Sequence, residues 1–250
     1  MKFKQIVSVA VLGAAVLASP SIMAGKLSGN IGVVSDYMFR GLDQSAQGAA
    51  VQGGVDYQSD FGLYSGLWIS NAAAVNGNEA DVYVGYGLRL GEFTLDGGVI
   101  YYAYTEDTEG GVCTAGANCN LDYAEVYVGG AVGPATVKVF YAPEFGGDTG
   151  GGVSGDLDKN ELMYVTASFN LPLTDTISFI PQIGFSAGDG AKDAFGDEYS
   201  DYSVTAIKKL QDDMSVSLAV VGTDLDNFGG AGHNDNAKFV IGFKKNFSIY

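Results

Sequence analysis

Between residues 80 and 103 the chain alternates almost without interruption. Ala80, Val82, Val84, Tyr86, Leu88 and Leu90 take every second position, with Asp81, Tyr83, Gly85, Gly87 and Arg89 between them. After Gly91-Glu92 the period resumes at Phe93, Leu95, Gly97, Val99, Tyr101 and Ala103. A period of two sorts side chains onto the two faces of an extended strand, whereas a helix needs 3.6. The same signal marks segments 27–39, 51–57, 63–69, 124–132, 135–141, 163–169, 177–185, 202–206, 214–220 and 239–243. The reading is twelve strands, with no amphipathic helix expected after residue 26.

The connections between these segments alternate in length. Short turns are expected near Ser59-Asp60, Gly91-Glu92, Gly133-Pro134, Asn170 to Thr174 and Gln211 to Asp213. Long Gly- and Asp-rich connections fall at 41–48, 71–79, 105–120, 144–161, 187–198 and 223–236. A soluble sandwich has no reason to collect its long loops at one end. An outer-membrane barrel does: short periplasmic turns, long extracellular loops and an even number of strands. The expected fold is therefore a single all-β domain, a 12-stranded antiparallel transmembrane β-barrel over residues 25–250. Parity alone does not separate this from a soluble β-protein, which also alternates but turns its apolar face inward.

Composition narrows the choice. The chain is 47% apolar and only 17% charged, with mean hydropathy +0.13, so it is too apolar for disorder. A net charge of −16 argues against nucleic acid as a partner, because phosphate binding needs a basic surface. Bundles of membrane helices fail too, since the one long apolar run lies at the N-terminus. There Lys2 and Lys4 precede an apolar stretch, Ile6 to Leu17, and a small-residue end at Ala24. That is the plan of a secretory signal, expected to occupy residues 1–24 with cleavage after Ala24. In an exported chain the two cysteines, Cys113 and Cys119, are expected to form a disulfide; two sulfurs without a nearby His make an incomplete zinc set.

Several stretches also carry a family resemblance. Ser35-Asp36-Tyr37-Met38-Phe39-Arg40-Gly41, then Val51-Gln52-Gly53-Gly54-Val55-Asp56-Tyr57, resemble the opening of the TorF-type porin family of proteobacteria. Gly62-Leu63-Tyr64-Ser65-Gly66-Leu67-Trp68 and Asp81-Val82-Tyr83-Val84-Gly85-Tyr86 continue it, over roughly residues 30 to 105. The resemblance implies a barrel in the outer membrane of a Gram-negative bacterium, assigned as a porin. One departure is at the C-terminus. Phe239, Ile241, Phe243, Phe247 and Ile249 share a parity, but the terminal aromatic, Tyr250, falls on the other.

With the apolar parity toward lipid, the other parity lines the lumen. The expected pore-lining residues are Asp36, Arg40, Asp56, Asp81, Arg89, Asp96, Glu125, Lys138, Lys238 and Lys244. Asp36 and Arg40 share a parity, so both are expected on one wall near the outer end of the first strand. Trp68 and many tyrosines lie near strand ends, where aromatic girdles belong. Most remaining acids fall in the long connections, so the net charge reads mainly as a property of the loops. Mixed charges along a lumen orient polar solutes, or else neutralise one another and fill the interior.

Other chemistry is poorly represented. Asp156-Leu157-Asp158-Lys159-Asn160-Glu161 begins like a calcium loop but lacks the Gly and spaced Glu of an EF-hand, so no metal site is assigned. The sole His233 sits in a Gly- and Asn-rich segment with no ordered Ser nearby, and no enzyme activity or cofactor is expected. The expected function is a passive channel for small polar solutes or ions, in contact with outer-membrane lipid and lipopolysaccharide. The alternative is a non-conducting structural or surface-interaction barrel acting through its acidic loops.

Overall fold

The computed structural model describes residues 25–73, 77–105, 121–146, 160–225 and 237–249. The expected signal segment, Cys113 and Cys119, Asp156 to Lys159, and His233 lie outside the described residues. Strands β1 (Lys26–Val34), β4 (Ala50–Gln58), β5 (Leu63–Ala72), β6 (Gly77–Leu90), β7 (Phe93–Tyr104) and β8 (Tyr123–Val132) form the first half of one antiparallel sheet. Strands β9 (Ala135–Ala142), β10 (Leu162–Phe169), β12 (Ile177–Ala187), β13 (Tyr199–Lys209), β14 (Met214–Thr223) and β15 (Lys238–Ser248) complete it. Each pairs with its sequence neighbour, and β1 pairs with β15 from Ser28↔Ser248 to Val34↔Gly242, which closes the barrel. The two-residue β11 (Leu171–Pro172) only extends the turn into β12. Twelve strands therefore make the wall, as the alternation predicts.

The turn chemistry explains one end. Leu90 pairs with Phe93 across Gly91-Glu92, and Gly91 takes φ +66° as the first residue of the turn, a conformation that matches the strand twist and that glycine adopts without penalty. The opposite end differs from expectation twice. The first strand stops at Val34 rather than running to residue 39, and a hairpin of β2 (Met38–Phe39) and β3 (Leu42–Asp43) follows it. The connection after β12 contains a helix, α1 (Asp189–Phe195), ended by Gly196 at φ +88°. No helix is expected there from the sequence because seven residues are too few for an apolar period to show.

The apolar parity faces outward. Val82, Val128, Ile183 and Ile241 are 54–65% exposed, and similar residues continue on every wall strand. A soluble protein tolerates apolar patches of only a few hundred Å²; a band around the whole circumference belongs in hydrocarbon. Phe239, Ile241, Phe243, Phe247 and Ile249 all lie on this surface. Outward tyrosines and phenylalanines gather toward both ends: Tyr101, Tyr141, Phe185 and Tyr202 at the long-loop end, and Tyr57, Phe61, Phe93 and Phe169 at the short-turn end. Trp68 is not among them. It faces the lumen, against the ring of Tyr37.

Candidate functional site

The lumen is built around residues 35–49, which leave the end of β1 and turn inward. Ser35 makes the last contact with the wall: its N–H donates to the Ile241 carbonyl at 2.8 Å and its Oγ accepts from the Ile241 N–H at 2.9 Å. A clasp then folds the segment on itself. Ser45 Oγ donates to Asp36 Oδ1 at 2.9 Å and accepts from the Tyr37 N–H at 2.7 Å. Asp43 accepts from the backbone N–H groups of Ser45 and Gln47, at 2.8 and 2.7 Å. Such side-chain bonds let a short segment satisfy its own backbone away from any sheet.

The tip is a two-residue turn. Phe39 pairs with Leu42, and Arg40 and Gly41 both have positive φ, 48° and 81°, as a type I′ turn requires. A Cβ on Gly41 would meet Asp201 Cβ at 2.9 Å and the Gly222 carbonyl at 3.1 Å, so only glycine fits between the turn and the wall at β13 and β14. The tip carries Arg40 to the opposite side of the barrel. Its Nη2 donates to Glu125 Oε1 at 2.8 Å and Oε2 at 2.6 Å, and its guanidinium lies over the rings of Tyr164 (4.3 Å), Phe39 (4.7 Å) and Phe140 (5.5 Å). Tyr102 Oη donates to Glu125 Oε2 at 3.0 Å, and Glu125 is fully buried. On the near side Tyr37 Oη donates to both Glu79 oxygens, at 3.2 and 3.1 Å. Met38 and Tyr37 pack against Ala50, Ala219, Val221 and Val240, while Leu42 packs against Tyr199 and Leu225. The hairpin thus spans the long-loop half of the lumen.

A second layer occupies the short-turn half. Lys138 Nζ reaches Asp96 Oδ2 at 2.6 Å and lies 4.9 Å above the Tyr127 ring. Tyr64 donates to Asp96 Oδ1 at 2.5 Å and shares a hydrogen bond with Tyr127; Tyr83 donates to Asp56. Each tyrosine lies across a glycine on a neighbouring strand: Tyr83 over Gly66, Tyr64 over Gly85, Tyr127 over Gly98. A Cβ at Gly98 would come within 2.6 Å of the Tyr127 hydroxyl. The abundance of both residue types in the sequence has this physical basis: glycine floors let large rings lie flat in a narrow barrel.

The expected lining residues divide accordingly. Asp56, Asp81, Asp96, Glu125 and Lys138 face inward from the wall, as parity predicts. Lys238 and Lys244 face inward half-buried, and Arg89 is exposed at the short-turn rim. Asp36 and Arg40 do not share a wall of β1. Asp36 belongs to the clasp, and Arg40 reaches strands on the far side, because both lie in the connection rather than the strand. Glu79 and Asp43, assigned from the sequence to long loops, are 2% and 3% exposed inside the barrel. Glu79 shares the inward parity of Asp81 and could have been found that way. Nothing local marks Asp43. The long-loop half holds Asp36, Arg40 and Asp43 of the inward-folded segment and, on the wall around it, Glu79, Asp81, Glu125, Asp201 and Lys238. Arg89, Lys138, Lys209 and Lys244 occupy the other half with Asp56 and Asp96. Charge is therefore separated along the axis, and part of the acidity expected in the loops lies within the lumen.

Comparison with known proteins is consistent with this architecture. A family model described as a bacterial protein of unknown function (Gcw_chp) matches residues 18–247. No curated protein matches the sequence. Among solved structures the chain is similar to the KdgM porin, with TM-score 0.55 and 10% identity over 88% of this chain and 99% of that one. It is also similar to KdgM in complex with disordered oligogalacturonate (TM-score 0.53, 9% identity, 90% of this chain and 99% of that one). The NanC porin gives TM-score 0.50 and 12% identity, over 87% of this chain and 97% of that one. At these identities the likeness is one of fold.

Proposed function

This chain belongs to the Gcw_chp family of bacterial proteins, and from that premise we propose that it is a porin-like passive channel of the outer membrane, admitting small polar solutes or ions. Residues 1–24 are its export signal, and the residues facing inward line the path. One observation carries the reading. Among the described residues the lumen is crossed by a hairpin tethered at both ends, whose tip reaches the far wall through the buried Arg40–Glu125 ion pair and the Tyr164 and Phe140 rings. A barrel that needed only to be filled could use apolar side chains from its own wall, which are less costly to bury than charges. The fold of KdgM and NanC and the TorF-type resemblance of residues 30–105 support the same reading.

The test is single-channel recording in a planar bilayer. The wild type should show small conductance steps, and replacing residues 36–48 with a short Gly-rich turn should enlarge them. Absence of steps in both proteins would sink the channel reading. It would favour the second reading, a non-conducting barrel that contacts lipopolysaccharide or other partners through its loops. That reading draws its support from Phe39, Leu42 and Tyr37, which pack the long-loop half with apolar surface.

A further inference from the structure

Among the described residues, the groups around Glu125 and the Arg40 guanidinium come from four strands of the wall, with Phe39 of the hairpin as the one ring added from the tip. Tyr102 comes from β7, Glu125 from β8, Phe140 from β9 and Tyr164 from β10. We propose that these four residues form a receptor site for small organic monocations of guanidinium type, which the chain's own Arg40 occupies when the hairpin is in place. The inference rests on the channel reading and deepens it, because it names the class of solute that the lumen recognises.

The chemistry of the pocket is specific. A fully buried carboxylate faces the cation, and the Tyr164 and Phe140 rings cover it at 4.3 and 5.5 Å. Aromatic faces together with a carboxylate recognise a flat, weakly hydrated cation far better than a neutral solute. A neutral occupant would leave Glu125 desolvated and unpaired. Calcium and magnesium want six or more oxygen ligands, whereas these four residues offer one carboxylate and two phenols, of which Tyr164 Oη is turned to Asp201. Anions meet Glu79, Asp81 and Asp201 on the way. Arg40 does not use its full capacity either: Nη1 is buried with no hydrogen-bond partner among the described residues. The clasp of Asp36, Asp43 and Ser45 holds the base of the hairpin together by bonds within the segment, while Arg40 at its tip and Tyr37 bond to the wall.

The test empties the site and offers it a free ligand. Arg40→Ala, purified in detergent, is heated with low millimolar guanidinium chloride, urea or sodium chloride. Guanidinium should raise Tm by about 2–4 °C, while urea, its neutral isostere, and sodium should not. The rise should vanish in Arg40→Ala/Glu125→Gln. No guanidinium-specific rise, or an equal rise in the double variant, overturns the proposal. Arg40→Gln, which keeps the length of the stem, is read by the same criteria and decides the matter if Arg40→Ala does not fold. Binding is measured here without conduction, so the two readings fail separately. A guanidinium shift in a silent barrel removes only the channel; a conducting barrel without the shift removes only the receptor.

Discussion

Arg40 Nη2 donates to both carboxylate oxygens of Glu125, 85 residues away in sequence, at 2.8 and 2.6 Å. The two side chains are 7% and 0% exposed. The pair joins the tip of an inward-folded hairpin to the far wall of the barrel, so it holds a segment that crosses the lumen.

Breaking the pair from one side should cost more than removing it whole. Arg40→Gln or Glu125→Gln leaves a buried polar group without its partner, and each should destabilise the barrel by about 3–5 kcal/mol. Arg40→Met/Glu125→Leu should recover most of that loss. Thermal melts of the three variants form the check, and additive losses in the double variant would contradict it.

The turn itself is under similar constraint. Gly41→Ala places a Cβ against Asp201 at a residue with φ +81°. The left-handed backbone alone costs a non-glycine residue about 1–2 kcal/mol. The hairpin should loosen while the wall stays folded. Hydrogen exchange should then accelerate at the Tyr37 and Gln44 amides, which are bonded to Ser45 Oγ and the Tyr37 carbonyl, and remain slow in β6 and β7.

Acidification should tighten the hairpin. Asp36, in the connection after β1, has its carboxyl pushed from 3.8 up to about 6, first by burial and then by its hydrogen bond with Asp43, against the opposing pull of Ser45 and Lys238. A raised carboxyl pKa means the folded state holds its proton where the unfolded chain releases it. The stability this group contributes is complete below pH 3.8 and lost as pH rises through about 6. Mean conductance should therefore fall as the pH is lowered from about 6 toward about 4. Asp36→Asn should remain at the low-pH level throughout, and an unchanged pH response in that variant would refute the assignment.

The axial separation of charge predicts rectification. Acids crowd the half that holds the hairpin, and Arg89, Lys138, Lys209 and Lys244 the other half. Currents at equal and opposite voltages should differ, because ions entering from the two ends meet fields of opposite sign. Lys244→Gln should reduce the ratio. Lys138→Gln should reduce it too, at a cost in stability, since Lys138 neutralises the buried Asp96.

Period-two alternation and the rhythm of long and short connections determined the number of strands and their neighbours, and most of their limits to within about two residues. Strand β13, however, runs from Tyr199 to Lys209 rather than 202–206, and β15 runs on to Ser248 rather than 243. Pairing with the chain neighbour needs only local turns such as Gly91-Glu92, whose geometry is written in two residues. The same alternation sorted Asp81 from Val82 and Glu125 from Val126, but a period of two is symmetric and does not say which set faces out. Closure of the barrel decided that: a ring of Val, Ile and Phe outside and buried ion pairs inside are both satisfied only with lipid around the wall. The path of residues 35–49 was beyond the sequence for a further reason. Asp36 and Arg40 continue the parity of β1, so local pattern predicts a longer strand. What turns the chain inward is Ser45 bonding Asp36, Tyr37 bonding Glu79 and Arg40 bonding Glu125. The last two partners lie 42 and 85 residues away and become neighbours only once the barrel has closed.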